Sequence, residues 1–205
     1  MKTDVIEISP LGEGMAQALK ETEKAAAFQG LTPKESLRLR LLGEEMMGML
    51  RTIVGESKAS YWVEAEGKAF KLHLAAGVRM NADLREELLK TSTSGRNAAV
   101  KGFMSRVRDI FTQLTEPEGP GISPTKYGFS YVDVTSFEDA SLGVTTHGVM
   151  YGWSMREYKS AVYEHREQEP DKWDELEKSI TARLADEVRI FIRGNTVEMV
   201  IEKSF

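Results

Sequence analysis

One stretch constrains this chain more than any other: the run from Thr32 to Val54, where a complete helix-start signal opens a long amphipathic segment. Thr32 can cap with its hydroxyl. Pro33 suits the first helical position, where a missing amide proton costs nothing, and Glu35, three residues after the cap, can reach back to the amide of the cap itself. Beyond it Leu37, Leu41, Leu42, Met46, Met49, Leu50 and Ile53 recur at three- and four-residue intervals, which paints one apolar, core-facing stripe on a helix running to about Val54. Two alternating segments follow, Ser60 to Glu66 and Ala69 to Ala75, with a turn at Gly67, and they read as a hairpin. In the second, Phe70, Leu72 and Leu74 alternate with Lys71 and His73, so His73 is expected on the opposite, wetter face as a surface histidine.

The flanking segments extend the same α+β pattern. Asp4 to Ser9 reads as a short strand closed by Pro10, Gly12 and Gly14, and Met15 to Gln29 as a helix stopped by Gly30. After the hairpin, Asn81 to Lys90 reads as a short helix, residues 91–97 as a polar loop, and Gly102 to Leu114 as another helix. Residues 115–170 form a decorated insertion. They hold a strand at Phe129 to Val134 and a helix opening at the Ser154-x-x-Glu157 capping box. Trp173, Leu176, Ile180, Leu184 and Val188 restore helical spacing, and a final hairpin pairs Val188 to Arg193 with Thr196 to Lys203 across Gly194-Asn195. A single domain spanning residues 1–205 accounts for all of this.

Composition then removes whole classes of function. The chain has 205 residues, a formal charge of -5 and interspersed acids and bases, so it presents no field that would draw nucleic acid. No window approaches the roughly 20 apolar residues of a membrane helix, and Met1-Lys2-Thr3-Asp4 lacks the apolar stretch of a signal peptide, so a cytoplasmic protein is expected. With no cysteine, disulfides, thiolate nucleophiles and cysteine-bound zinc are excluded. His73, His147 and His165 share no ligand spacing, and no metal site is expected. The G-x-S-x-G, GxxxxGK[ST] and GxGxxG motifs are absent.

An order of parts remains: a helix carrying Glu44 and Glu45, a strand ending in Ala75-Ala76-Gly77, a polar loop, and a helix entered through Lys101-Gly102-Phe103. Over roughly Leu31 to Leu114 and the closing hairpin, this order resembles the GHKL ATPase superfamily of gyrases, chaperones, histidine kinases and mismatch-repair proteins, and within it the bacterial anti-sigma-factor serine kinases. The resemblance implies a Bergerat-like fold, a two-layer sandwich with a mainly antiparallel sheet, helices on one face and an inserted irregular region. It implies Glu45 as catalytic base, and Gly77, Ser94, Gly95, Arg96, Lys101 and Gly102 as residues around ATP. The same glutamate also suits an amphipathic edge that reaches water, and the same loop residues suit a polar loop capping a helix.

Two positions depart from the family pattern. The asparagine that holds Mg²⁺ four residues after the base is replaced by Gly48 or Met49, according to register, and neither supplies an oxygen ligand. The aspartate that accepts the adenine amino proton is replaced by Ala75, which accepts nothing. The resemblance therefore implies a regulatory protein with ATP binding and turnover weakened or lost, acting on a protein partner such as a sigma factor or other regulator, with a homodimer compatible with it. Two other readings stay open, an active serine kinase or ATPase using Glu45, and a pocket with a changed ligand.

Overall fold

A computed structural model describes residues 1–54, 57–77, 129–133, 149–167, 179–193 and 196–205. In chain order the elements are β1 (Ile6–Ile8), α1 (Met15–Phe28), α2 (Pro33–Val54), β2 (Ala59–Glu66), β3 (Ala69–Gly77), β4 (Phe129–Asp133), β5 (Val149–Ser154), α3 (Met155–Glu164), α4 (Ile180–Leu184), β6 (Glu187–Arg193) and β7 (Thr196–Ser204). The helices expected between residues 81 and 114, and the start of the one expected beyond Pro170, lie outside the described residues.

The helix starts form as their sequences dictate. The Thr32 amide donates to Glu35 Oε2 at 2.7 Å and the Glu35 amide donates to Thr32 Oγ1 at 3.3 Å, the reciprocal capping box. Lys68 on the β2–β3 turn adds an ion pair to Glu35 at 3.0 Å. Ser154 caps α3 by accepting from the Glu157 amide. There, however, a distant residue completes the cap: the Glu187 carboxylate, 3% exposed, accepts from Ser154 Oγ at 2.9 Å and from the Arg156 amide at 3.1 Å.

The strands form one antiparallel sheet in the order β1-β2-β3-β7-β6-β5-β4. Register shows how it is filled. Tyr61, Leu74, Met199, Ile190 and Trp153 stand directly across from one another, and all are buried. Val63, Leu72, Ile201 and Val188 form a parallel buried row. Directly opposed residues share a sheet face, so both rows lie on one face. The helices cover it: α1 packs on β2, α2 on β3 and β7, and α3 on β5 and β6. The fold is thus α+β, with an antiparallel sheet and its helices on one side.

Three local expectations need correction. Leu37 is 56% exposed, and Leu39 takes the buried place with Leu42, Met46, Met47 and Met49, because the stripe is rotated relative to the one drawn through Leu37. Val188, placed both at the end of the helical spacing and at the start of the final hairpin, belongs only to the strand, β6, since the helix ends at Leu184 and Ala185 is already extended. His73 does lie on the face away from the helices, yet it is only 9% exposed. Its ring is covered by its sheet neighbours, stacked on Trp62.

One buried polar contact ties α1 to the sheet beneath α2. Thr22 Oγ1 donates to the Ala18 carbonyl at 2.9 Å, so the Tyr61 hydroxyl, 2.8 Å away, donates to Thr22. Burial, only partly offset by this bond, pushes the Tyr61 phenol pKa up. Gly43 of α2 lets this arrangement close, since a Cβ there would sit 3.2 Å from the Tyr61 hydroxyl and 3.4 Å from Leu19.

The two partners are therefore not equivalent. Thr22→Val leaves a buried phenol without an acceptor and is expected to cost about 1–3 kcal/mol, whereas Tyr61→Phe leaves Thr22 bonded to Ala18 and should cost about 0.5–1.5 kcal/mol. Urea unfolding of both variants checks the ordering, and equal losses would contradict it. The capping box makes a second prediction. The Thr32 amide, then Lys68 and the Thr32 hydroxyl, hold the Glu35 carboxyl at about 2 against an ordinary 4.5. A depressed carboxyl stabilises the fold above its unfolded value and loses that contribution as pH falls through the folded one. The stability advantage of the wild type over Glu35→Ala should be constant above about pH 4.5 and shrink toward pH 2, as measured by melts across that range.

Candidate functional site

The candidate site is built on the C-terminal half of α2 and the end of β3. Adjacent on one helix, Glu44 and Glu45 point about 100° apart, and the structure gives them different surroundings. Arg40, one turn earlier, donates from Nε to Glu44 at 2.9 Å and from Nη1 to Glu23 of α1 at 2.6 Å. This fork ties α1 to α2 and engages Glu44. The two carboxylates, Glu23 foremost, push the Arg40 pKa up.

Glu45 has no such partner among the described residues. It is half-buried, and burial first, then the charge of Glu44, raises its pKa above the ordinary carboxylate value. An unpaired carboxylate with strengthened proton affinity suits general-base work, where a pKa closer to neutrality is useful.

The positions one turn beyond do not complete a magnesium nucleotide site. Gly48 is exposed, and a Cβ there would meet no described atom within 4 Å. Met49 is turned into the core, 4% exposed. Neither offers oxygen to a hard cation. On β3, Ala76 packs in the core and Ala75 is half-buried, so no carboxylate stands where adenine would be read. Gly77 is the last residue of β3, paired with Thr196, and has open space at its Cβ among the described residues. At these positions the residues do not fit Mg-ATP.

Of the residues expected around a nucleotide, Glu45 and Gly77 are on neighbouring elements, α2 and β3. Ser94, Gly95, Arg96, Lys101 and Gly102 lie outside the described residues. Among the described residues no group of three or more His, Asp and Glu side chains is arranged to hold a metal ion, and no helix is long and apolar enough to cross a membrane.

The open face of the sheet carries a constellation that inspection of the sequence missed. His73 stacks on Trp62 and lies between Glu64 and Glu198. Lys2 pairs with Glu64 at 3.1 Å and sits over the Trp62 ring. Burial works against ionisation of Glu64, but Lys2, His73 and the Trp62 indole together hold its pKa below the ordinary value. The available signal was register: once β3 is paired with β7, His73 must neighbour Val200 and Glu198. No family model matches the chain, and neither a curated protein nor a solved structure shows significant similarity to it.

That Glu45 has no counter-charge among the described residues has a measurable cost. A carboxyl whose pKa is raised on folding opposes folding once ionised, and the penalty disappears where it is protonated in both states. Glu45→Gln is therefore expected to be more stable than the wild type at neutral pH, with the gain vanishing below the ordinary carboxylate range. Urea titrations at both pH values test this. A variant less stable than the wild type at neutral pH would show that the carboxylate is paired in solution.

Proposed function

We propose that this chain is a regulatory protein on a histidine kinase-like ATPase scaffold, resembling the anti-sigma factors, that acts by binding a protein partner and whose ATP binding and turnover are weakened or lost. The observation that carries the reading is the pairing of a base-like Glu45 with Gly48 and Met49 one turn on. On this reading Glu45 stands as the base, its proton affinity raised by burial and by Glu44, while the positions that would deliver a metal ligand hold an exposed glycine and a buried thioether. A scaffold that keeps its base and lacks its metal oxygen is better suited to recognition than to phosphoryl transfer, which depends on the cation to neutralise developing charge. The absence of cysteine and the mildly acidic, mixed surface fit a cytoplasmic regulator that avoids polyanions.

The proton-hungry Glu45, unpaired among the described residues, supports a second reading, an active ATP-dependent serine kinase or ATPase with Glu45 as base. Thermal melts with increasing Mg-ATP separate the two. A ligand that binds only the folded state raises stability with its concentration, by about 2.7 kcal/mol at one hundred times its dissociation constant. The regulatory reading expects no shift at millimolar Mg-ATP. A rise that grows with concentration, accompanied by phosphate release that Glu45→Ala abolishes, would overturn it in favour of the enzyme.

A further inference from the structure

Helix α2 carries apolar residues on two sides, and the core accounts for one of them. Leu39, Leu42 and Met46 are buried. Roughly opposite them, at about 100° per residue, Leu37, Leu41 and Gly48 fall within about 40° of one another and form a second stripe that faces away from the sheet. Leu37 is 56% exposed, Leu41 is half-buried, and Gly48 is exposed with open space at its Cβ among the described residues. A leucine that projects into water and, about three turns on, a position with no side chain make a knob and a hole on one surface.

Charge is laid out along the same stripe. Arg38 and Glu45 are about two turns apart, so both stand on one flank of it, about 20° from each other. Arg38 is exposed and Glu45 half-buried, and neither has an ion pair among the described residues. The other flank, turned to α1, is already satisfied, since Arg40 holds both Glu44 and Glu23 there.

A stripe with a cation toward one end of its flank and an anion toward the other is complementary to a reversed copy of itself. Two such helices laid face to face and antiparallel, related by a two-fold axis between residues 42 and 43, set each flank against the same flank of the other. Leu37 of one then lies opposite Gly48 of the other, and the two Leu41 side chains meet beside the axis. Arg38 comes within two residues of rise, about 3 Å along the helix, of the partner's Glu45, and the symmetry makes a second such pair. A parallel arrangement would set Arg38 level with Arg38 and leave both charges unpaired.

We propose that the outward face of α2 is a dimer interface on which a second copy of this chain packs its own α2 antiparallel, with Leu37 seated against the partner's Gly48 and Arg38 paired with the partner's Glu45. From Leu37 to Gly48 the contact spans about 17 Å of helix. That footprint is at the small end of specific interfaces, so the dimer forms and separates with concentration. The contact draws on the surface of α2 alone and stands apart from the histidine kinase-like reading. The stability gain of Glu45→Gln belongs to the single chain at dilution, because in the dimer the partner's Arg38 supplies the counter-charge.

The test is sedimentation velocity of the full chain from low to high micromolar concentration, for the wild type, Leu37→Glu, Arg38→Glu and the double exchange Arg38→Glu with Glu45→Arg. Leu37 and Arg38 are exposed, so both single variants keep the fold, which circular dichroism checks. The wild type should pass from monomer to dimer as concentration rises, each single variant should associate about tenfold more weakly or less, and the double exchange should recover the dimer. A wild type that stays monomeric throughout, a dimer that both single variants leave intact, or a folded double exchange that stays monomeric would overturn the proposal. If the double exchange does not fold, Leu41→Cys decides. The chain has no other cysteine, so a short bismaleimide should join two copies beside the axis and should not join copies of Ala27→Cys, exposed on α1. Equal linking of both variants, or of neither, counts against the two-fold contact.

Discussion

The ladder between β3 and β7 is the constraint on which the rest of the structure depends. It runs without interruption from Ala69 opposite Ser204 to Gly77 opposite Thr196, and it joins the β2–β3 hairpin to the β6–β7 hairpin. A slip of one residue would turn Phe70, Leu72, Leu74 and Ala76 out to the open face and carry Lys71 and His73 under the helices. Both faces oppose that slip. On the covered side Val197, Met199 and Ile201 match the apolar positions of β3. On the other, Lys71 meets Glu202 and His73 meets Glu198. The chain end adds a further pin, since the Phe205 amide donates to the Lys68 carbonyl and its ring packs edge-on against Phe70.

How much of this could be read from the sequence follows from the range of each interaction. Thr32, Pro33 and Glu35 act within one turn of helix, so the start of α2 was legible to the residue. The β2–β3 hairpin was legible because alternation and Gly67, at φ 56°, are local. The cap on α3 was legible only in part. Ser154 announces itself, but the buried carboxylate that completes it comes from Glu187, 33 residues away. The burial of His73 was not legible, because alternation assigns a side to each residue and says nothing of what stands beside it. Its cover comes from Trp62 across the hairpin and from a strand 125 residues further on.

The candidate site divides along the same line. That Glu45 sits nearer the apolar stripe than Glu44 follows from helical geometry. The capture of Glu44 by Arg40 could be guessed from their four-residue spacing, but the second arm of that fork, to Glu23, exists only because α1 packs against α2. That Gly48, Met49 and Ala75 offer no side-chain oxygen was visible from the outset. What the fold adds is their orientation, one outward and without a side chain, one into the core, and one at a half-buried strand position.

Polar satisfaction then separates what holds the fold from what the fold merely carries. Thr22, Tyr61, Ser154 and Glu187 are buried or nearly so, and each is matched to a partner in a direction its chemistry requires. Among the described residues only His73 Nε2 and Thr181 Oγ1 are buried side-chain atoms without a hydrogen bond, and Glu45 is a half-buried carboxylate without a counter-charge. Such groups oppose folding rather than drive it, so the packing that surrounds them must be stable enough to tolerate them. The α1–α2 junction around Gly43 supplies that surplus beside Glu45, and the β3–β7 ladder supplies it beside His73. The two groups least explained by stability are therefore mounted beside the α1–α2 junction and the β3–β7 ladder, whose packing holds each in place.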